Sequence, residues 1–159
     1  MTLFGILGAM TFSAKYVMAG LPNIEPVSLM VMVFGAVFGI RALYPVGVYI
    51  AMEFLFYGLG IWNVMYLYIW PLLVLLAYLL RNMDDRIGWA LVSGGFGLFF
   101  GVLCAPVDVV IGGLSYAVSK WISGIPFDLT HCAGNFVIAL VLFIPLRKLT
   151  QKMYARILT

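Results

Sequence analysis

Three polar side chains share one face of an otherwise apolar stretch near the end of the chain. Asp128, His131 and Asn135 are spaced three and four residues apart, so on a helix they lie one above another. No further charge follows until Arg147, and the stretch is long enough to span a membrane. An unpartnered polar group is costly inside hydrocarbon. One end of this helix is therefore expected to face something polar.

A second ionisable group lies inside an apolar stretch, at Glu53. A carboxylate within a membrane span indicates a functional site by default. An ionised carboxylate only accepts hydrogen bonds, so it suits a ligand with adjacent N–H donors. An ion pair with Lys15, or a protonated carboxyl group, is the structural alternative, and the sequence leaves both open.

Aromatic residues are dense shortly before the middle of the chain, where Trp62, Tyr66, Tyr68 and Trp70 follow one another closely. Tryptophan and tyrosine gather at membrane interfaces in any case. They also stack on flat heterocycles, which makes them suitable walls for a small-molecule site.

No set of residues indicates catalysis. The chain has one histidine, no Gly-x-Ser-x-Gly pattern and no phosphate-binding loop. The pair His131 and Cys132 alone does not have the spacing of a metal site. We therefore expect no enzymatic activity, no metal and no cofactor.

The composition predicts the fold that holds these residues in place. The chain is 65% hydrophobic and 9% charged, against about 25% charged residues in soluble domains. At about 20 residues per span, it predicts an all-α integral membrane bundle of six transmembrane helices, forming a single domain over 1–159. The predicted spans are 2–18, 27–40, 44–58, 64–80, 87–111 and a sixth that ends before Arg147. The stretch 112–127 is predicted to be a long connection, and a turn at 124–126 to precede a helix start capped by Asp128 or Thr130.

The basic residues predict an orientation. Most of the nine lie on the side of both termini: Arg41, Arg81, Arg86, Arg147, Lys148, Lys152 and Arg156. The positive-inside rule then places both termini in the cytoplasm of a bacterial-type cell membrane. Because these cations lie at span ends, they do not indicate nucleic-acid binding.

This orientation brings the polar and aromatic residues to the outer third of the bundle and leaves the inner half apolar. We expect a pocket that is open to the outside and closed below, as small-molecule sites often are. The candidate binding residues are Asn23, Glu25, Glu53, Trp62, Asn63, Tyr66, Trp70, Asp108, Trp121, Asp128, His131 and Asn135. A channel would need polar lining through the whole membrane, so the pattern favours a subunit that captures a solute.

Three stretches carry a resemblance to a known family: LPNIEPV at 21–27, YIWP at 68–71 and GIPFDLTHCAGNF at 124–136. With the length and the six predicted spans, they resemble the substrate-binding (S) subunits of energy-coupling factor (ECF) vitamin transporters, which are ABC importers. The resemblance implies a scaffold subunit in the lipid bilayer and two cytoplasmic ATPase subunits as partners. It also implies a gate at 21–26 and a scaffold contact at Gly5, Ala9 and Ser13.

The resemblance implies uptake of a vitamin-like micronutrient. The aromatic residues and Glu53 favour a purine-like or pyrimidine-like base, including a deazapurine such as queuine, with pyridoxine-type or benzimidazole rings as close rivals. A self-sufficient small secondary carrier for a similar solute is the alternative. A membrane enzyme or an assembly factor without a ligand is a third hypothesis.

Overall fold

The described part of the chain consists of helices joined by short turns. The computed structural model describes residues 2–20, 24 and 26–158, and these contain no strand. The helices are α1 (Thr2–Val17), α2 (Val27–Phe38), a 3₁₀ turn (Gly39–Ala42), α3 (Leu43–Tyr57), α4 (Ile61–Leu79), α5 (Arg86–Leu98) and α6 (Phe100–Leu158). The all-α prediction is confirmed for these residues.

The number of long helices differs from the prediction. Three helical segments are long and apolar enough to cross a membrane: Val27–Tyr57, Ile61–Leu79 and Arg86–Arg156. The apolar α1 is a fourth, shorter segment of 16 residues. The prediction of six separate helices is therefore wrong as a count, because the chain stays helical where loops were expected.

The stretch 112–127 is the clearest case, since it is helical on both sides of a single bend. Gly113 has φ of +80°, a conformation that glycine adopts without steric cost. Asp108 pairs with Lys120 across the bend, and Gly101 pairs with Asp128 farther along. The chain thus forms an antiparallel helical hairpin, with α5 continuing its first arm.

The predicted helix start at 124–130 is also wrong. The helix runs through Pro126, and the Thr130 hydroxyl donates to the Pro126 carbonyl at 3.0 Å within it. Asp128 accepts a hydrogen bond from the other arm instead of capping its own helix.

Glycines set the closest helix contacts. A Cβ at Gly97 would lie 2.8 Å from the His131 carbonyl, and one at Gly8 would lie 2.5 Å from the Pro45 carbonyl. These contacts join the two hairpin arms and join α1 to α3. A Cβ at Gly5 would meet no described atom within 4 Å, so Gly5 is not in close contact with another described helix.

The surface of the bundle is apolar over much of its area. Exposed side chains include Leu55, Leu59 and Val110, whose exposed fractions are 82%, 93% and 86%. By contrast, α2 is surrounded by other helices, and most of its residues are buried. Exposed aliphatic side chains on helices of this length are compatible with residence in a membrane.

The bundle has two chemically different ends, which α4 connects over about 28 Å. At the basic end, Arg41 donates to the Tyr154 hydroxyl at 3.1 Å. The Phe38 ring lies there between Phe4, at 5.3 Å, and Tyr154, at 4.9 Å, so α2 connects the first and last helices at this end. The opposite end, which we call the cavity end, contains Trp62 and two ion pairs.

Candidate functional site

The smaller of two cavities at the cavity end is built around an ion pair between α1 and α3. Lys15 Nζ lies 2.7 Å from Glu53 Oε2 and 3.4 Å from the Tyr66 hydroxyl. The cavity has a volume of about 230 Å³. Its lining comprises Lys15, Glu53, Tyr57, Gly60, Trp62, Asn63 and Tyr66. The question left open by the sequence is resolved in favour of the ion pair.

Tyrosine rings surround this lysine. Its Nζ atom lies 5.1, 5.8 and 5.9 Å from the ring centroids of Tyr66, Tyr57 and Tyr49. Aromatic faces attract a cation at this range. Glu53 is 3% exposed, so its carboxylate is shielded from solvent and its charge is balanced by the ammonium of Lys15.

The larger cavity lies between the arms of the hairpin and has a volume of about 420 Å³. It is lined by Trp62, Phe100, Gly101, Cys104, Asp108, Lys120, Trp121, Gly124, Phe127 and Asp128. A second ion pair joins Lys120 Nζ to Asp108 Oδ1 at 2.5 Å. The same ammonium lies 5.3 Å from the Trp62 ring, so an aromatic face and a carboxylate both hold it.

Asp128 occupies a distinct position in this cavity. Its Oδ1 atom accepts the Gly101 N–H at 3.1 Å. Gly101 lies just after the interruption of the helix at Phe99, where the first N–H groups of α6 lack an acceptor within their own helix. Its Oδ2 atom has no hydrogen-bond partner among the described residues, although Asp128 is only 7% exposed.

Two tryptophans contact the walls of both cavities. Trp62 lines both of them. Trp70 is fully buried, with its ring 5.4 Å from Tyr66 of the smaller cavity and 5.9 Å from Phe100 of the larger. The structure thus divides the predicted single pocket into two cavities with shared aromatic walls.

The remaining predicted residues of the last helix lie deeper in the bundle. The His131 ring packs edge-on against Phe100 at 5.0 Å, behind the cavity wall. Asn135 donates to Ser28 Oγ at 3.1 Å and to the Ser93 carbonyl at 3.3 Å. The face shared by the three polar residues therefore packs against the other hairpin arm, and only Asp128 reaches a cavity.

Other predicted residues have different surroundings. Asn63 donates to the Gly58 carbonyl at 2.5 Å, which fixes the turn between α3 and α4. Asn23, Glu25 and most of the predicted gate at 21–26 lie outside the described residues. Sequence reasoning did not assign Lys120 to the site, although its position four residues after Tyr116 places both on one helical face.

Two further clefts, of about 330 and 380 Å³, lie at the basic end. Two of the three arginines that line them, Arg41 and Arg147, already have hydrogen-bond partners. Arg41 donates to Tyr154, and Arg147 donates to the carbonyls of Arg81 and Met83 at 2.6 and 2.9 Å. These contacts close the bundle and leave the cavity end as the better candidate for binding.

The described residues contain no group of three or more histidine, cysteine or carboxylate side chains that could hold a metal ion. Comparisons with family models, curated proteins and solved structures found no match to this chain.

Proposed function

We propose that the chain is the substrate-binding subunit of an energy-coupling factor importer and captures a small planar heterocycle at the outer face of a bacterial-type cell membrane. One observation carries this proposal. Both cavities with buried ion pairs lie at one end of an apolar helical bundle, and the other end is basic. A capture subunit requires a site that opens to one side only.

The proposed topology has six passes and both termini in the cytoplasm. Four helical segments give six passes when the chain reverses at Gly39 and Gly113, the glycines with φ of +60° and +80° inside the long segments. The positive-inside rule then directs the basic end to the cytoplasm. In this topology the short α2 also crosses the membrane. Neighbouring helices surround it, so its length need not match the thickness of the hydrocarbon core.

The proposed partners are a membrane scaffold subunit and two cytoplasmic ATPases. Gly5 and Ala9 are half-buried and Ser13 is exposed, so small residues remain accessible on α1. Such a stripe lets a second helix approach closely. In this proposal the partners supply the energy of transport, and the chain is not itself an enzyme.

Titration of the purified protein in nanodiscs with a panel of vitamins and nucleobases tests capture. Co-reconstitution with an energy-coupling factor module and ATP then tests uptake. We expect binding by the protein alone and uptake only with the module. Gly5→Leu should retain binding but lose uptake, because a Cβ at this position meets no described atom of the chain within 4 Å and the larger side chain would obstruct the scaffold.

Two results would overturn the proposal. One is the absence of binding to every member of the panel. The other is ion-driven uptake into liposomes that contain this protein alone, which would establish a secondary carrier.

A further inference from the structure

The three buried carboxylates at the cavity end differ in how their charge is balanced. Glu53 pairs with Lys15 at 2.7 Å, and Asp108 pairs with Lys120 at 2.5 Å. No described cation lies within ion-pair distance of Asp128. Its Oδ2 atom lacks a partner within the described residues and belongs to a side chain that lines the larger cavity.

We propose that Asp128 recognises the solute, and that the solute is a planar ring with an amidine-like pair of N–H groups carrying positive charge. This inference rests on the proposed function and specifies its substrate class. One N–H group of the solute donates to Oδ2, an acceptor without a hydrogen-bond partner among the described residues; Glu53 Oε1 also lacks a hydrogen bond, but its carboxylate is already paired with Lys15. The solute thus supplies the cation that the other two carboxylates obtain from lysines.

The charges in the cavity wall favour such a solute. The ionisable groups that line it are Asp108, Asp128 and Lys120, whose charges sum to minus one when all are ionised. A carboxylate in a poorly solvated site attracts a cation more strongly than it would in water. An anionic ring would be repelled by Asp128 and would have to displace Asp108 from Lys120.

The shape of the cavity accommodates a ring. Trp62, Phe100, Trp121 and Phe127 contribute aromatic surface to its walls, and its volume of about 420 Å³ suits a small heterocycle. Trp62, Trp121 and Phe127 are 57%, 40% and 60% exposed, so the entrance is aromatic and accessible. A planar cation gains both from stacking and from the negative faces of these rings.

Asp128 also has a structural role, which must be separated from recognition. Its Oδ1 atom accepts the Gly101 N–H after the helix interruption. Asp128→Asn retains an oxygen for this bond but replaces the second acceptor with an N–H₂ donor. The substitution therefore preserves the contact between the arms and reverses the hydrogen-bonding character of the atom that we propose contacts the solute.

Three probes with the same ring test the assignment: benzamidine, benzamide and benzoate. They carry a positive, a neutral and a negative planar group. Each is titrated by calorimetry against the full chain in nanodiscs. We expect benzamidine to bind at least about tenfold more tightly than benzamide, and benzoate not to bind, because a single hydrogen bond to a charged group accounts for such a ratio.

Asp128→Asn should weaken benzamidine binding by about tenfold or more and leave the apparent Tm within a few degrees of the wild type. Asp84→Asn is the matched control, since it makes the same change in net charge at the basic end, where the Asp84 side chain is 91% exposed. This control should bind benzamidine like the wild type. If Asp128→Asn does not fold, Gly101→Ala serves in its place, because it retains the charge but obstructs Oδ2.

The assignment is overturned if Asp128→Asn binds benzamidine like the wild type, or if benzoate is preferred. If benzamidine fails to bind while a vitamin or nucleobase binds, the role of Asp128 is wrong and the proposed function stands. If no compound of either set binds, both are wrong.

Discussion

One methyl group added at Gly101 would enter the space in front of the Asp128 carboxylate. A Cβ built at Gly101 lies 2.5 Å from Oδ2 and 3.2 Å from Cδ1 of Trp121, whereas ordinary van der Waals contact begins at 3.4 Å. The carboxylate in Gly101→Ala must therefore move by roughly 1 Å, because the approach is well inside the repulsive range. This movement also disturbs the hydrogen bond from the Gly101 N–H to Oδ1.

The size of the effect follows from that geometry. A hydrogen bond to a charged group contributes about 1.5–3 kcal/mol, and loss of about 2 kcal/mol raises Kd by about thirtyfold. Calorimetric titration with benzamidine should show this loss. The weakened contact between the arms destabilises the fold, but alanine favours a helix over glycine by up to about 1 kcal/mol. We therefore expect a Tm change of only a few degrees.

Gly95→Ala is the matched control, because Gly95 belongs to α5 in the same hairpin arm and a Cβ there would meet no described atom within 4 Å. It should bind benzamidine with unchanged affinity. Equal affinities for Gly101→Ala and the wild type would refute the reasoning, since the added methyl group could not then lie beside a recognition oxygen. Equal losses in both variants would show that the effect comes from the helix and not from the cavity.

Three further predictions concern the stability of the bundle in detergent. Gly8→Ala should lower the apparent Tm by about 4–8 °C, because overpacking against α3 costs about 2 kcal/mol. Gly5→Ala should not lower the Tm, since a Cβ there meets no described atom. A lower Tm for Gly5→Ala would contradict the arrangement of α1. Lys15→Met should lower the free energy of unfolding by about 3 kcal/mol, because it leaves Glu53 unpaired. Adding Glu53→Leu to Lys15→Met should recover most of this stability. Additive losses in the double-mutant cycle would refute the buried pair. Arg147→Met should cost about 2 kcal/mol and make the α4–α5 turn more sensitive to protease. The Arg81 carbonyl would lose its donor, and the Met83 carbonyl would keep only the hydrogen bond from Trp89 Nε1. An unchanged cleavage rate would contradict this role.

The sequence was sufficient to predict the helical class and the polar face of the last helix. Both predictions rest on strong local signals: an apolar composition, and side chains spaced three and four residues apart at Asp128, His131 and Asn135. The contacts that these side chains make could not be predicted from such local signals. Asn135 bonds to Ser28, 107 positions earlier in the chain, and no local pattern predicts such a partner.

The number of helices was mispredicted because loops were assigned wherever glycine, proline or charge interrupted an apolar stretch. In α6 these interruptions remain helical. Pro126 lies within the second hairpin arm, and the chain reverses within one residue, at Gly113. A positive φ at one glycine among many cannot be identified from the sequence alone, since every glycine permits it and only tertiary packing selects which one adopts it.

The interruption at Phe99 connects the fold of the hairpin to the chemistry proposed for the cavity. An unbroken helix would satisfy the Gly101 N–H within its own backbone, and Asp128 would have no donor in the facing arm. The interruption leaves that donor available, and Asp128 Oδ1 accepts from it at 3.1 Å. The absence of a side chain at Gly101 also lets the carboxylate lie close to that backbone. With Oδ1 held in this way, Oδ2 has no hydrogen-bond partner among the described residues, and Asp128 lines the larger cavity without a lysine beside it. Glu53 Oε1 also lacks a hydrogen bond, but its carboxylate is paired with Lys15, so the break in the helix accounts for the position of the one carboxylate that we propose for recognition of the solute.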